Sequence, residues 1–200
     1  MFSSLIIAFT LSIDSLMASL AYGSKKIKIS FLEIQIINLT CITILGISLM
    51  FGELIKNYLP DGLTNTLGFL ILFILGIVKL LDSLIKILIN RYIKSNRLNF
   101  KFILNIYAKP EKADLDHSRT ISPLEAFSLA LALSLDSLAI GFSAALTNFN
   151  ILFLLITSFF INGMSIISGL YLGNKITKKI KFDLSWLAGV ILIILALLQL

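Results

Sequence analysis

Six apolar runs, each long enough or nearly so to cross a bilayer, dominate this chain and leave it few folds to choose from. A hydrocarbon core of about 30 Å takes about 20 apolar residues as a helix. The runs are Met1–Gly23, Ile29–Leu54, Leu63–Ile89, Leu124–Leu146, Ile151–Gly173 and, at the short limit, Leu184–Leu200. Only 14% of the residues are charged, where a soluble domain carries about 25%. A soluble core is therefore excluded. Barrel strands are excluded too, because their short alternating segments are missing. The expected fold class is an all-α membrane protein with six transmembrane helices, held in the lipid bilayer of the cell membrane.

The formal net charge is +6 and the pI about 9.5. That balance does not point to nucleic acid, because Lys and Arg sit in the segments between apolar runs, where they set membrane orientation. The connections after runs one, three and five hold 14 of them, and the opposite side holds only Lys56. The basic connections are expected in the cytoplasm and both termini outside. No basic residue precedes Lys25 and Asp14 interrupts the first run, so that run reads as a retained span, not a cleaved signal. Residues 90–122, rich in Lys, Arg and Asn, read as a cytoplasmic basic loop between two units, 1–89 and 123–200. Within the loop, Glu111, Asp114, Asp116 and His117 read as solvated groups, with capture of a metal before transport as the alternative. The lone cysteine, Cys41, reads as a small packing residue.

A repeat joins the two units at an offset of 122 residues. Ala8–Leu16 is AFTLSIDSL and Ala130–Leu138 is ALALSLDSL, identical at six of nine positions. The shared S-x-D-S is the informative part, since Asp is rare inside spans. A mid-run Asn also recurs, Asn38 in run two and Asn162 in run five. Three spans per unit is an odd number, so the second copy enters from the opposite side. The expectation is two inverted three-helix repeats, with a site near the midplane between them. Depth agrees. Asp14 lies roughly 20 Å along its helix and Asp136 roughly 18 Å along a helix running the other way.

Carboxylates at that depth are expensive, by about 3 kcal/mol each on insertion scales. Two together also repel each other. A divalent cation relieves both costs, and oxygen-only donors favour hard ions such as Mg²⁺, Ca²⁺ or Mn²⁺. The candidate ligands are Asp14 and Asp136, completed by Ser15, Ser137, Asn38 and Asn162. Ser158, Asn162, Ser165 and Gly169 form a polar, small-residue stripe that also serves ordinary helix packing. Lys79 either snorkels to the cytoplasmic interface or acts as a counter-charge at the aspartates. Asp82 and Lys86 read as interface charges. The blander alternative is that each Asp only ties helices together through a neighbouring Ser or Asn. No P-loop, G-x-S-x-G, H-E-x-x-H or C-x-x-C motif occurs, so neither enzyme chemistry nor a cofactor is expected. The partners expected are a divalent cation and lipid, with a second copy of the chain as a candidate.

Paired S-x-D-S motifs in runs one and four, six spans and a basic central loop resemble the MntP-type manganese efflux pump family. Within it the chain looks most like the YtaF-like branch of sporulation membrane proteins. The resemblance implies a LysE-like inverted-repeat fold and export of Mn²⁺ or a similar cation by a secondary transporter. It implies that Asp14 and Asp136 are the motif aspartates, and that Lys79 is the basic residue that follows a Gly in span three. The family pattern also carries a glutamate within span two, whereas Ile34 to Gly52 holds no acid here. The sporulation branch implies an alternative: a non-transporting partner or scaffold in spore-envelope formation.

Overall fold

The computed structural model describes residues 2–81, 119–147, 150–175 and 185–197. Asp82, Lys86 and the loop residues Glu111, Asp114, Asp116 and His117 lie outside them. The described residues form helices α1 (Phe2–Ser24), α2 (Phe31–Lys56), α3 (Asp61–Leu80), α4 (Pro123–Leu133), α5 (Leu135–Leu146), α6 (Ile151–Lys175) and α7 (Ser185–Leu197). Helices are what lipid dictates, since backbone N–H and C=O groups must then be bonded within their own segment. α1, α2 and α6 are long and apolar enough to cross a membrane, and α4 with α5 make a fourth span if taken together. α3 and α7 supply shorter apolar helices, Thr66–Leu80 and Ala188–Leu197. This is a multi-pass membrane protein.

The run Leu124–Leu146 was expected as one helix and is two. The axis bends by 47° where α4 meets α5. Ser134 sits at the break with φ −89° and ψ 0°, and its hydroxyl donates to Leu131 O at 3.0 Å. Such back-bonding weakens the helical ladder but does not by itself break it, since Ser12 makes the same bond to Phe9 O within continuous α1. The start of α4 is firmly fixed. Ser122 and Glu125 form a reciprocal capping box, with Ser122 N–H donating to Glu125 Oε2 at 2.9 Å. Just before it, Ile121 N–H donates to Lys28 O at 3.0 Å, tying α4 to the α1–α2 connection.

Packing crosses between the two units. α1 lies chiefly on α6, α2 on α4 and α5, and α3 on α7. Smaller contacts join α3 to α5, α1 to α7, α2 to α6 and α1 to α5. Among the described residues, then, the substantial helix contacts other than α4–α5 pair a helix of the first unit with one of the second.

These contacts need small residues. A Cβ on Gly189 of α7 would stand 2.7 Å from Gly76 O and 2.8 Å from Leu80 N in α3. Both atoms are backbone, so the helices themselves must part. Gly189→Ala is expected to cost about 1–3 kcal/mol, read as a lower melting temperature of the detergent-solubilised protein; an unchanged melt would mean that α3 and α7 are not in close contact.

Buried apolar side chains gather in two clusters. One holds Ala18, Tyr22, Ile34, Ile37, Ala126, Leu129 and Ile166. The other holds Ile7, Ala8, Leu45, Leu49, Leu72, Ile140, Ala144, Leu154 and Leu192. Each long helix passes from one cluster to the other. α1 and α6 run one way, while α2 and the α4–α5 pair run the other. Between the clusters, every one of these helices carries polar residues.

Candidate functional site

The polar layer is supplied by the middle of α1, the α4–α5 break, the end of α3 and the middle of α6. Asp14 comes from α1, between Ala8 and Ala18 of the two apolar clusters. Asp136 comes from the first turn of α5, immediately after the break. Lys79, in the last turn of α3, reaches both. Its Nζ donates to Asp14 Oδ2 and lies 3.1 Å from Asp136 Oδ2. The two aspartates of the repeated motif thus meet on one ammonium.

All three groups are largely withdrawn from the surface. The side chains of Lys79, Asp14 and Asp136 are 7%, 16% and 10% exposed, so the charges lie in a medium of low dielectric where ion pairing is strong. Asp136 Oδ1 accepts the Ser137 N–H at 2.8 Å. Asp136 Oδ2 has the ion pair but makes no hydrogen bond. Lys79 does not snorkel toward an interface. Its side chain is buried and turned toward the aspartates, because two converging carboxylates hold an ammonium better than one interface does.

The neutral candidates lie elsewhere in the layer. Ser15, Ser137, Ser158 and Asn162 line a cavity of about 20 Å³, together with Leu11, Cys41, Ile42, Leu45 and Leu133. Ser15 and Ser137 each follow a motif aspartate. Successive helical residues point about 100° apart, so Asp and Ser face different neighbours. Asn38 stands behind the cavity. Its Nδ2 donates to Phe159 O at 3.1 Å, and its Oδ1 accepts Asn162 Nδ2 at 2.9 Å. The structure thus brings Asp14, Asp136 and Lys79 together, and Ser15, Ser137 and Asn162 together, as two adjoining groups. Among the described residues, no three of His, Cys, Asp and Glu form one cluster.

Residues 97–200, just over half of the chain, match the family described as "Mntp: Putative manganese efflux pump". The chain belongs to that family. Its members are described as pumps, which makes this protein one of a transporter family rather than an enzyme family, with manganese as the substrate the family implies. The matched stretch contains Asp136 and Asn162, while Asp14 and Lys79 lie before it. Along its whole length the chain is similar to "Probable sporulation protein YtaF" of Bacillus subtilis (strain 168). The two are 29% identical over 208 residues, covering 100% of this chain and 99% of that protein. No solved structure matches the chain.

Proposed function

We propose that this protein is a secondary exporter of a divalent cation, Mn²⁺ before others, and that Asp14 and Asp136 are the acidic ligands of its transport site. The observation that carries the reading is the single buried ammonium of Lys79 shared by both motif aspartates. A structural ion pair needs one carboxylate per lysine. Here two are gathered in a low-dielectric layer, one carboxylate more than a single ammonium pairs with, and Asp136 Oδ2 makes no hydrogen bond.

Charge then dictates how an ion is held and released. With no divalent ion bound, Lys79 cancels part of the aspartate charge. A divalent cation between the two carboxylates cancels all of it, and the ammonium becomes surplus. Ion and ammonium therefore compete for the same oxygens. Lys79 leaves when the ion binds and drives it off on return. Since Lys79 closes the end of α3, its movement links ion binding to the packing of α3 on α5 and α7.

The architecture supporting this reading is six spans arranged as two inverted three-helix repeats of LysE-like plan. Its supports are the cross-unit packing, the opposite directions of α1 and the α4–α5 pair, and the direct bond between Asn38 and Asn162. Lys25, Lys26, Lys28 and Lys175 follow α1 or end α6 at one end of the bundle, and Lys56 ends α2 at the other. Positive-inside orientation puts the first group in the cytoplasm and both termini outside.

Flux of Mn²⁺, Mg²⁺, Ca²⁺ and Zn²⁺ into proteoliposomes tests the proposal. Mn²⁺ movement above that of protein-free vesicles is expected. Absence of movement for all four ions sinks it.

A second reading, a non-transporting partner in spore-envelope assembly, is favoured by the name of the full-length relative and by the lack of a third acid at the site among the described residues. It predicts no change in cellular manganese when the protein is deleted under Mn²⁺ stress. Export predicts a rise.

A further inference from the structure

The serine and asparagine side of the polar layer forms a second site, built from neutral oxygens. Hydroxyls in these helices usually donate back to the preceding turn: Thr10 to Ile6 O at 2.8 Å, Ser19 to Ser15 O at 2.6 Å, Ser128 to Leu124 O at 2.9 Å and Thr157 to Phe153 O at 2.7 Å. Ser158 departs from this habit. Its Oγ is buried, the residue being 2% exposed, and has no hydrogen-bond partner. An unsatisfied buried hydroxyl is costly, and this one belongs to a residue lining a cavity with Ser15, Ser137 and Asn162.

Hydrogen-bond logic fixes which end of Asn162 is available. Phe159 O can only accept, so Asn38 presents its Nδ2 there and turns its Oδ1 toward Asn162. Asn162 must then donate through Nδ2, which leaves its Oδ1 for a ligand. The broken helix brings the C-terminal end of α4 to the cavity. Leu133, the last residue of α4, also lines the cavity. That end of α4 is the negative end of its helix dipole. Half-helix ends of this kind coordinate monovalent ions in transporters built from broken helices.

The volume and the charge select the ligand. About 20 Å³ is space for about one water-sized body. Among the described residues no carboxylate lines the cavity, so it offers too little charge to strip the hydration shell of a divalent ion. Beside it stand two carboxylates, Asp14 and Asp136, with the one ammonium of Lys79 between them. We propose that the cavity lined by Ser15, Ser137, Ser158 and Asn162 binds a single Na⁺. Its position beside the aspartates makes that Na⁺ the coupling ion of export. The site itself is independent of the export reading and is tested without transport.

The test uses the full-length protein in detergent without divalent ions, with NaCl, KCl and N-methylglucamine chloride compared at constant ionic strength. Na⁺ is expected to raise the melting temperature by about 5 °C over the other two. Ser158→Ala is expected to lose that rise, whereas Ser168→Ala, on the exposed side of α6, keeps it. Equal melting in the three salts means that the cavity takes a structural water only and overturns the inference. So does a Na⁺ response that Ser158→Ala retains. In proteoliposomes with no pH gradient, a Na⁺ gradient directed against Mn²⁺ movement is expected to raise Mn²⁺ flux about tenfold, an increase corresponding to roughly 1.4 kcal/mol of gradient. Mn²⁺ flux indifferent to Na⁺ removes the coupling role while leaving divalent export intact.

Discussion

Asp136→Asn is expected to lower Mn²⁺ flux in proteoliposomes by at least about 100-fold, since even loss of an outer-shell partner costs 10–100-fold in metal affinity. The variant is nevertheless expected to stay folded. Removing a partner from a buried ion pair is destabilising when it strands an uncompensated charge. Here it does the reverse: Lys79 and Asp14 remain as a balanced pair. Asp14→Asn behaves alike, with Lys79 then paired to Asp136. The pair of variants therefore separates function from stability. Both should elute as monodisperse species with melting temperatures near the parent's, and both should fail to move the ion. Normal flux in both would remove the aspartates from the transport site.

The long helices were legible because lipid asks for little beyond length and apolarity. The runs Met1–Gly23, Ile29–Leu54 and Ile151–Gly173 correspond to α1, α2 and α6 within about two residues at each end. An acid inside such a run needs a partner, and so the convergence of Asp14 and Asp136 could be anticipated from the repeat alone. The break at Ser134 could not. The same S-x-D-S is continuous helix in α1 and interrupted between α4 and α5. Both motif serines bond back three residues, Ser12 to Phe9 O at 2.7 Å and Ser134 to Leu131 O at 3.0 Å. Local sequence is therefore not what distinguishes them, and the bend is set by the helices packed around it. The direction of Lys79 was open for a similar reason. A lysine near a span's end has two destinations, and only the placement of α1 and α5 beside α3 decides between them. The separation of aspartates from serines was available in principle, since adjacent helical residues point about 100° apart. Asp14 and Ser15 therefore turn to different neighbours, as do Asp136 and Ser137.

Lys79→Met is the harsher change and the more revealing one. It leaves two buried carboxylates facing each other with no ammonium between them, the uncompensated arrangement that costs about 3–5 kcal/mol. In chelator the variant should melt well below the parent. Mn²⁺ should then restore it, and by more than it stabilises the parent, because the ion no longer has to displace a tethered competitor. Transport should fall all the same. An ion held by two carboxylates with nothing to drive it off leaves slowly, so tighter binding and slower flux are expected together. Adding Asp14→Asn to Lys79→Met removes the repulsion and should recover part of the lost stability without recovering flux. That pattern cannot come from loss of packing alone, since a methionine fills much of the lysine's volume and a packing defect would not respond to Mn²⁺. A Lys79→Met protein that melts like the parent in chelator and ignores Mn²⁺ would show that the ammonium is not the resident counter-charge of the aspartate pair.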